Sequence, residues 1–341
     1  MKKNFFTAIK LIFFLLIGFF FVWLFLKDLT HEQKKQILDS FSIANYWWLI
    51  LSFFIALLSH IFRTLRWEML IHTIGYKPRF KNTFLSLMIG YFANLAIPRL
   101  GEVSRCTVLA KYEKIPFEKS FGTVIAERAF DLLTFLVLFF VNLLIQYNKI
   151  SGYVHEKIYV PLSAKFEFIG KGYLLYTTIA LLILAALFLI FFHKKLLKFK
   201  FYKKIIEILN GFWDGLKSLA KIKSPVKFLI LTVAIWLMYY LMSYVCFFSF
   251  VETSNPGLDA VLSVLVMGTI GIMVIQGGIG IYPVIIAETL TLYGITSLIG
   301  FTLGWLIWGA QTFIIILAGV VSLILLPVLN RQPYDTSGNH K

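Results

Sequence analysis

The sequence predicts an all-α integral membrane protein, a helical bundle that crosses the bilayer several times. Aliphatic, aromatic and cysteine residues make up 59% of the 341 residues, above the roughly 45–50% apolar usage of soluble domains, and the mean hydropathy is +0.81. The apolar runs are far longer than the roughly 10-residue strand of a membrane β-barrel. Because hydrocarbon satisfies no backbone polar groups, such runs must cross as helices.

The charge balance and the cysteine and histidine spacing exclude several other classes of protein. Lys and Arg number 33 against 17 Asp and Glu, a net charge of +16. A basic excess between apolar spans is typical of cytoplasmic loops beside anionic lipid, so we expect no nucleic-acid partner. The two cysteines and six histidines show no metal-type spacing, and no catalytic motif appears. We therefore expect no metal, no cofactor and no catalytic residue.

Six apolar runs are long enough to span the membrane, and two more are predicted to enter and leave by one face. The first run follows three lysines and lacks a signal-peptide cleavage pattern, so it is predicted to be retained. Residues 1–330 are predicted to form one membrane domain and 331–341 a polar tail. The predicted spans are 8–26, 46–62, 122–147, 173–192, 227–250 and 298–328, and the predicted re-entrant segments are 80–98 and 260–283.

Basic residues fix the predicted orientation. Segment 193–227 carries ten lysines against two acids, so it is predicted to lie in the cytoplasm, and counting crossings places both termini there, in a bacterial cytoplasmic (inner) membrane. The same count of crossings predicts that the loops on both sides of 80–98 are cytoplasmic. This segment must therefore return to the cytoplasmic face, with breaks at Gly90 and Pro98. Apolar residues at near-helical spacing make 193–227 either an amphipathic helix on an anionic lipid surface or a solvated connector.

The two halves of the chain share a short pattern. Leu85-Ser86 precedes Gly90, and Leu262-Ser263 precedes Gly268, with a Gly-containing turn eight residues after each glycine. This predicts an inverted repeat with one broken segment entering from each face, an architecture that places transporter substrate sites near the bilayer midplane.

Two charged clusters flank the first re-entrant segment. Arg63 and Arg66 follow the span 46–62 and are interpreted either as anchors that snorkel to the cytoplasmic headgroups or as substrate ligands. Arg99, Glu102 and Arg105 lie three apart, so a helix would align them as base, acid and base. Since guanidinium groups bind phosphate oxygens bidentately, this line is predicted to cradle a lipid phosphate; a structural salt-bridge ladder is the alternative.

A third cluster lies inside an apolar stretch. Glu127, Arg128 and Asp131 fall within 121–147, and buried charges are costly without partners. We expect partners such as Arg99 or Arg105; the alternative is a late-starting helix with these charges at its cytoplasmic mouth. The predicted substrate-binding set extends to a second-half turn whose freed backbone groups would bind a headgroup, unless its glycines simply aid packing. That turn comprises Gln276, Gly277, Gly278 and Gly280, ahead of Pro283.

Three stretches carry a resemblance to a known family. IPRLGEVSRCTVL (Ile97 to Leu109), AERAFD (Ala126 to Asp131) and QGGIG (Gln276 to Gly280) resemble the lysylphosphatidylglycerol synthase transmembrane-domain family over about 8–330. The resemblance implies a flippase-like membrane domain, here a stand-alone member without the fused aminoacyl transferase. The second half departs from the family pattern, with Gln276 and Pro283 where Pro and Glu are usual. The positions that the resemblance singles out are Pro98, Arg99, Gly101, Glu102, Arg105, Glu127, Arg128 and Asp131.

Three hypotheses for the function remain open on these grounds. The first is a translocator that moves a phospholipid or a polyprenyl-phosphate lipid between leaflets. The second is a membrane enzyme acting on lipid headgroups with Glu127 or Asp131 as general base. The third is an accessory subunit that holds an envelope synthase at the membrane through segment 193–227.

Overall fold

The structure is a computed structural model that describes Leu16 and residues 19–97, 99–147 and 222–330. The regular elements within these ranges are helices. The predicted span 173–192, the tail 331–341, Pro98 and all but the last residues of segment 193–227 lie outside the described residues. Of the first predicted span, Leu16 and residues 19–26 are described, and the backbone is helical from residue 19 through residue 26.

The helices follow one another with short connections. A capping box between Thr30 and Gln33 begins the first of them, and 3-10 turns lie at Val251–Thr253 and Gln276–Gly278. The helices are α1 (His31–Ile43), α2 (Trp47–Thr73), α3 (Phe80–Ala96), α4 (Leu100–Tyr112), α5 (Phe117–Ile145), α6 (Pro225–Phe247), α7 (Leu258–Val274), α8 (Ile281–Thr291) and α9 (Ser297–Leu329).

Within the described ranges, four helices are long and apolar enough to cross a membrane. They are α2, α5, α6 and α9, with 27, 29, 23 and 33 residues, and they fall on the predicted spans 46–62, 122–147, 227–250 and 298–328. α2 differs most, because it continues to Thr73 rather than ending near residue 62. No glycine or proline interrupts it, and the left-handed Gly75 (φ +88°) follows its end.

The predicted repeat is visible in the backbone. Helices α2 to α5 and α6 to α9 each form the series long helix, 17-residue helix, short helix, long helix. After each 17-residue helix the chain becomes extended, at Ile97 (φ −140°) and Ile275 (φ −116°). Two residues later it turns left-handed, at Arg99 (φ 64°) and Gly277 (φ 67°). The two halves therefore share one local design.

The repeats are inverted with respect to each other. The Trp48 ring near the start of α2 lies 4.9 Å from the Phe248 ring just after the end of α6. Further along, Arg66 donates to the Thr232 hydroxyl (3.3 Å) in the first half of α6. Residue numbers thus rise on one helix while they fall on the other, so the leading helices of the two repeats are antiparallel.

Each repeat contains a helical hairpin. α3 packs against α4, and α7 against α8, so the first hairpin runs from 80 to 112 and the second from 258 to 291. The predicted break at Gly90 is wrong, because α3 is continuous through it. Gly90 instead permits close packing: a Cβ on Gly101 would collide with the Gly90 carbonyl oxygen. The Asn94 carboxamide oxygen also accepts from the Gly101 amide (2.7 Å).

Polar contacts join the first helix of each hairpin to the last helix of the other repeat. At the start of α3, the carboxamide of Asn82 exchanges two hydrogen bonds of 2.9 Å with that of Asn330, the residue that directly follows α9. Near the start of α7, the Ser263 hydroxyl donates to Asn142 (2.8 Å) at the end of α5. The two repeats are therefore linked near both ends of the bundle.

We predict that Gly101→Ala lowers the thermal unfolding temperature of the detergent-purified protein. The added methyl group meets backbone atoms of Gly90, and overpacking of this kind costs about 1–3 kcal/mol. Gly122→Ala in α5 is the matched control, because its Cβ would meet nothing within 4 Å. Equal melting of both variants would show that the close approach of α3 and α4 is unimportant for stability.

Candidate functional site

The centre of the site is a set of ion pairs between α2 and α5. Arg63 Nη1 lies 2.9 Å from Glu127 Oε1 and 2.7 Å from Asp131 Oδ2. Arg66 Nη2 lies 2.5 Å from Asp131 Oδ1. The helical period makes this possible, since residues three or four apart share one face of a helix. Two arginines on α2 thereby meet two carboxylates on α5.

Arg105 adds a third guanidinium group from α4. Its Nη1 lies 2.8 Å from Glu127 Oε2, whereas Arg63 lies against the other carboxylate oxygen, Oε1. Its guanidinium carbon lies 4.5 Å from the centre of the Trp67 ring, a favourable position for a cation. The Trp67 indole in turn donates to the Thr123 hydroxyl (3.0 Å). The expected partnership between Arg105 and the third cluster is thus confirmed.

The cluster carries one uncompensated positive charge. Arg63, Arg66 and Arg105 are buried and face the carboxylates of Glu127 and Asp131, so three guanidinium groups meet two carboxylates. Burial of charge is expensive and is tolerated only with close partners. One additional anion would balance this charge.

Two alternative interpretations of these charges are wrong. Arg63 and Arg66 are not anchors at the end of a span, because α2 continues to Thr73 and their side chains are buried. Glu127 and Asp131 do not lie at the mouth of a late-starting helix either. α5 begins at Phe117, and Glu127 is completely buried.

The residues of the second predicted cluster, Arg99, Glu102 and Arg105, have separate partners or positions in the structure. Glu102 Oε1 pairs with Arg128 Nη2 (2.8 Å) on α5, and Arg105 pairs with Glu127, so the alternative interpretation, a salt-bridge ladder along α4, is wrong. Arg99 is exposed at the turn before α4. Among the described residues no ion pair joins Arg99 to a carboxylate, and it lies outside the buried cluster.

A cavity of about 380 Å³ adjoins the cluster, and helices of both repeats line it. Arg63, Arg128 and Asp131 form its charged wall. The rest is mostly apolar and aromatic, with polar atoms that sequence reasoning missed. These missed residues are His60, Tyr91, Trp236, Tyr239 and Tyr282. Only His60 gave a usable signal, because it lies three residues from Arg63 and so shares its helix face.

The glycine turn lies apart from the charged wall. Gly277, Gly278 and Gly280 all have positive φ, which confirms an unwound turn between α7 and α8. One backbone group predicted to bind a headgroup is already used, since Gly277 O accepts from the Trp308 indole (2.7 Å). None of the described atoms of this turn lines the cavity, and the Gln276 side chain lies outside the described residues.

Two inverted four-helix repeats, with a buried charged cluster and a cavity that helices of both repeats line, define a polytopic helical membrane protein. The chain belongs to the family described as "Lysylphosphatidylglycerol synthase TM region", whose model matches residues 8–319. The family resemblance is thereby confirmed. Members of this family are flippase-like membrane domains.

Curated relatives carry only a general name. A UPF0104 membrane protein of Methanocaldococcus jannaschii is 28% identical over 247 residues, which cover 68% of this chain and 72% of that protein. A UPF0104 membrane protein of Methanothermobacter thermautotrophicus is 28% identical over 105 residues, 30% of each chain. No solved structure matches.

We predict that Glu127→Gln destabilises the protein strongly. The change removes a carboxylate that contacts Arg63 and Arg105, and removal of one partner of a buried ion pair costs about 3–5 kcal/mol. Thermal unfolding followed by tryptophan fluorescence measures the effect. Glu288→Gln is the control, because Glu288 is exposed on α8. If both variants melted with the wild type, the buried ion pairs would not stabilise the fold.

Proposed function

We propose that this protein is a lipid translocator that moves a phosphate-bearing lipid across the cytoplasmic membrane. The observation that carries the proposal is the surplus guanidinium charge at the wall of a cavity shared by two inverted repeats. Membership of a flippase-like family supports it. The phosphate of a phospholipid or of a polyprenyl phosphate would supply the anion that the cluster lacks.

The chemistry of the charged wall suits phosphate binding. Guanidinium groups bind phosphate oxygens through paired, charge-assisted hydrogen bonds. Arg63 and Arg128 both line the cavity, so a phosphate there would lie between an arginine of α2 and an arginine of α5. Arg66 pairs with Asp131 and Arg105 pairs with Glu127, and neither of these two arginines lines the cavity.

The placement of the cavity supports movement of the lipid between leaflets. Helices of both repeats line it, and the repeats are inverted, so rocking one repeat against the other would open the cavity alternately to either face. In this proposal both termini are cytoplasmic, as the basic loops predict. Segment 193–227 stays a predicted contact for anionic lipid or a synthase.

The geometry favours transport over catalysis by Glu127 or Asp131. A general base needs a carboxylate oxygen that can reach and accept a substrate proton. Both oxygens of Asp131 are held by Arg63 and Arg66. Glu127 Oε1 accepts from Arg63, and Glu127 Oε2 lies 2.8 Å from Arg105 Nη1. Both carboxylates therefore neutralise buried guanidinium groups, a structural role that a general base would give up on taking a proton.

We predict that Arg128→Gln slows lipid translocation about tenfold or more, the loss expected for one charge-assisted hydrogen bond. Arg128 lines the cavity and is partly exposed, so the variant should fold. Proteoliposomes with fluorescent phosphatidylglycerol or fluorescent polyprenyl phosphate, quenched from outside by dithionite, measure the rate.

Lys111→Gln is the matched control for this experiment. Lys111 is an exposed base on α4 outside the cavity lining, and its loss should leave the rate unchanged. The proposal is abandoned if wild-type vesicles move neither lipid faster than protein-free vesicles, or if Arg128→Gln matches the wild type.

A further inference from the structure

We infer that two polar contacts at opposite ends of the bundle act as clamps that open alternately, one for each face of the membrane. The α3–α9 clamp is the hydrogen-bonded pair Asn82 and Asn330, and the α5–α7 clamp is the pair Asn142 and Ser263. This inference rests on the proposed function and names the residues that control access to its cavity.

The two clamps occupy equivalent places in the two repeats. α3 and α7 are the 17-residue helices, and each contributes a residue near its start. α5 and α9 are the last long helices, and the other residue of each clamp lies near the end of one of them. Each clamp therefore joins the first hairpin helix of one repeat to the last helix of the other. Because the repeats are inverted, one clamp lies at each end of the bundle.

The cavity lies between the two clamps. Tyr91 lines it from α3, about 14 Å along the helix from Asn82. Leu132 lines it from α5, about 15 Å along the helix before Asn142. The helices at either end can therefore part to open the cavity only after the clamp at that end has broken.

The chemistry of the clamps suits repeated breaking. Both consist of hydrogen bonds between neutral side chains, of 2.9 Å in the α3–α9 clamp and 2.8 Å in the α5–α7 clamp. Charge-assisted hydrogen bonds are roughly twice as strong, and those of Arg63 and Arg66 with α5 join helices of one repeat. Water that enters between parted helices can replace the bonds of a clamp. The weaker contacts thus lie where the repeats have to separate.

A further polar contact between the repeats lies beside each clamp. The Arg79 guanidinium group donates to the Asn330 carboxamide oxygen (2.6 Å), but the Arg79 side chain is 52% exposed, so water can replace this bond. Gln146 donates to the Asp259 carboxylate at 3.4 Å, a length at which a hydrogen bond is weak. Both contacts can therefore break together with the clamp beside them.

Thiol labelling in membrane vesicles tests whether the clamps open. Asn82→Cys and Ser263→Cys each place a thiol where the side chain is buried, at 0% and 4% exposure. We expect a membrane-impermeant maleimide to label one variant in right-side-out vesicles and the other in inverted vesicles. Labelling should be about tenfold faster than in the wild type, whose Cys106 and Cys246 are buried. Background labelling of both variants, or labelling of both from the same side, would overturn the inference.

Covalent locking tests whether transport requires the clamps to open. The paired variants Asn82→Cys/Asn330→Cys and Asn142→Cys/Ser263→Cys are treated with a short bismaleimide and reconstituted for the lipid translocation assay. The reference is the same protein treated with N-ethylmaleimide, which modifies the thiols without joining them. Since a locked clamp blocks one conformational step of the cycle, we expect each link to slow translocation about tenfold or more.

Tyr76→Cys/Lys119→Cys is the matched control for locking. The Lys119 ammonium group lies 5.3 Å from the centre of the Tyr76 ring, and both residues belong to the first repeat, so this link should leave the rate unchanged. If both locked clamps moved lipid as fast as their references, the two pairs would be permanent joints, and the inference would fail while the proposed function stood. If the wild type moved no lipid either, the proposed function would fail and the inference with it.

Discussion

Three guanidinium groups lie inside a bundle of mostly apolar helices, and their need for carboxylate partners determines how α2, α4 and α5 pack. Each helix contributes charges that would be too costly to bury alone. Arg63 and Arg66 require Glu127 and Asp131 to face α2, and Arg105 requires α4 to approach the other side of Glu127. The packing of α2, α4 and α5 in the first repeat therefore depends on these ion pairs.

The hairpin of the first repeat makes this arrangement possible. Arg105 reaches Glu127 because α4 lies close to α3, and that closeness depends on Gly90 and Gly101, which leave no room for a side chain between them. The second repeat has the same backbone turn but lacks the buried ion pairs described for the first repeat. It contributes aromatic residues of the cavity wall instead, including Trp236 and Tyr282. One backbone design thus serves two different chemical surfaces.

The sequence predicted the helical class, the places of the four long described helices and the repeat, because long apolar runs and a recurring Leu-Ser and glycine pattern are local signals. It also identified Glu127 and Asp131, since charges inside an apolar stretch are conspicuous. It did not reveal that Arg63 and Arg66 are their partners, because the contact joins residues more than 60 positions apart. Tyr91 and Trp236 were missed for a different reason: aromatic residues are abundant here, and only packing distinguishes a cavity wall from a lipid-facing surface.

The buried ion pairs described above all lie within the first repeat. Among the described residues, the contacts of the second repeat with this cluster are made by neutral groups, such as the Thr232 hydroxyl at Arg66 and the Phe228 ring 5.7 Å from the same guanidinium carbon. A displacement of one repeat against the other would exchange these weak contacts and leave the ion pairs intact. The charged wall would then move as a rigid unit, and the electrostatic cost of burying its charges, met once on folding, would add little to the barrier of that displacement.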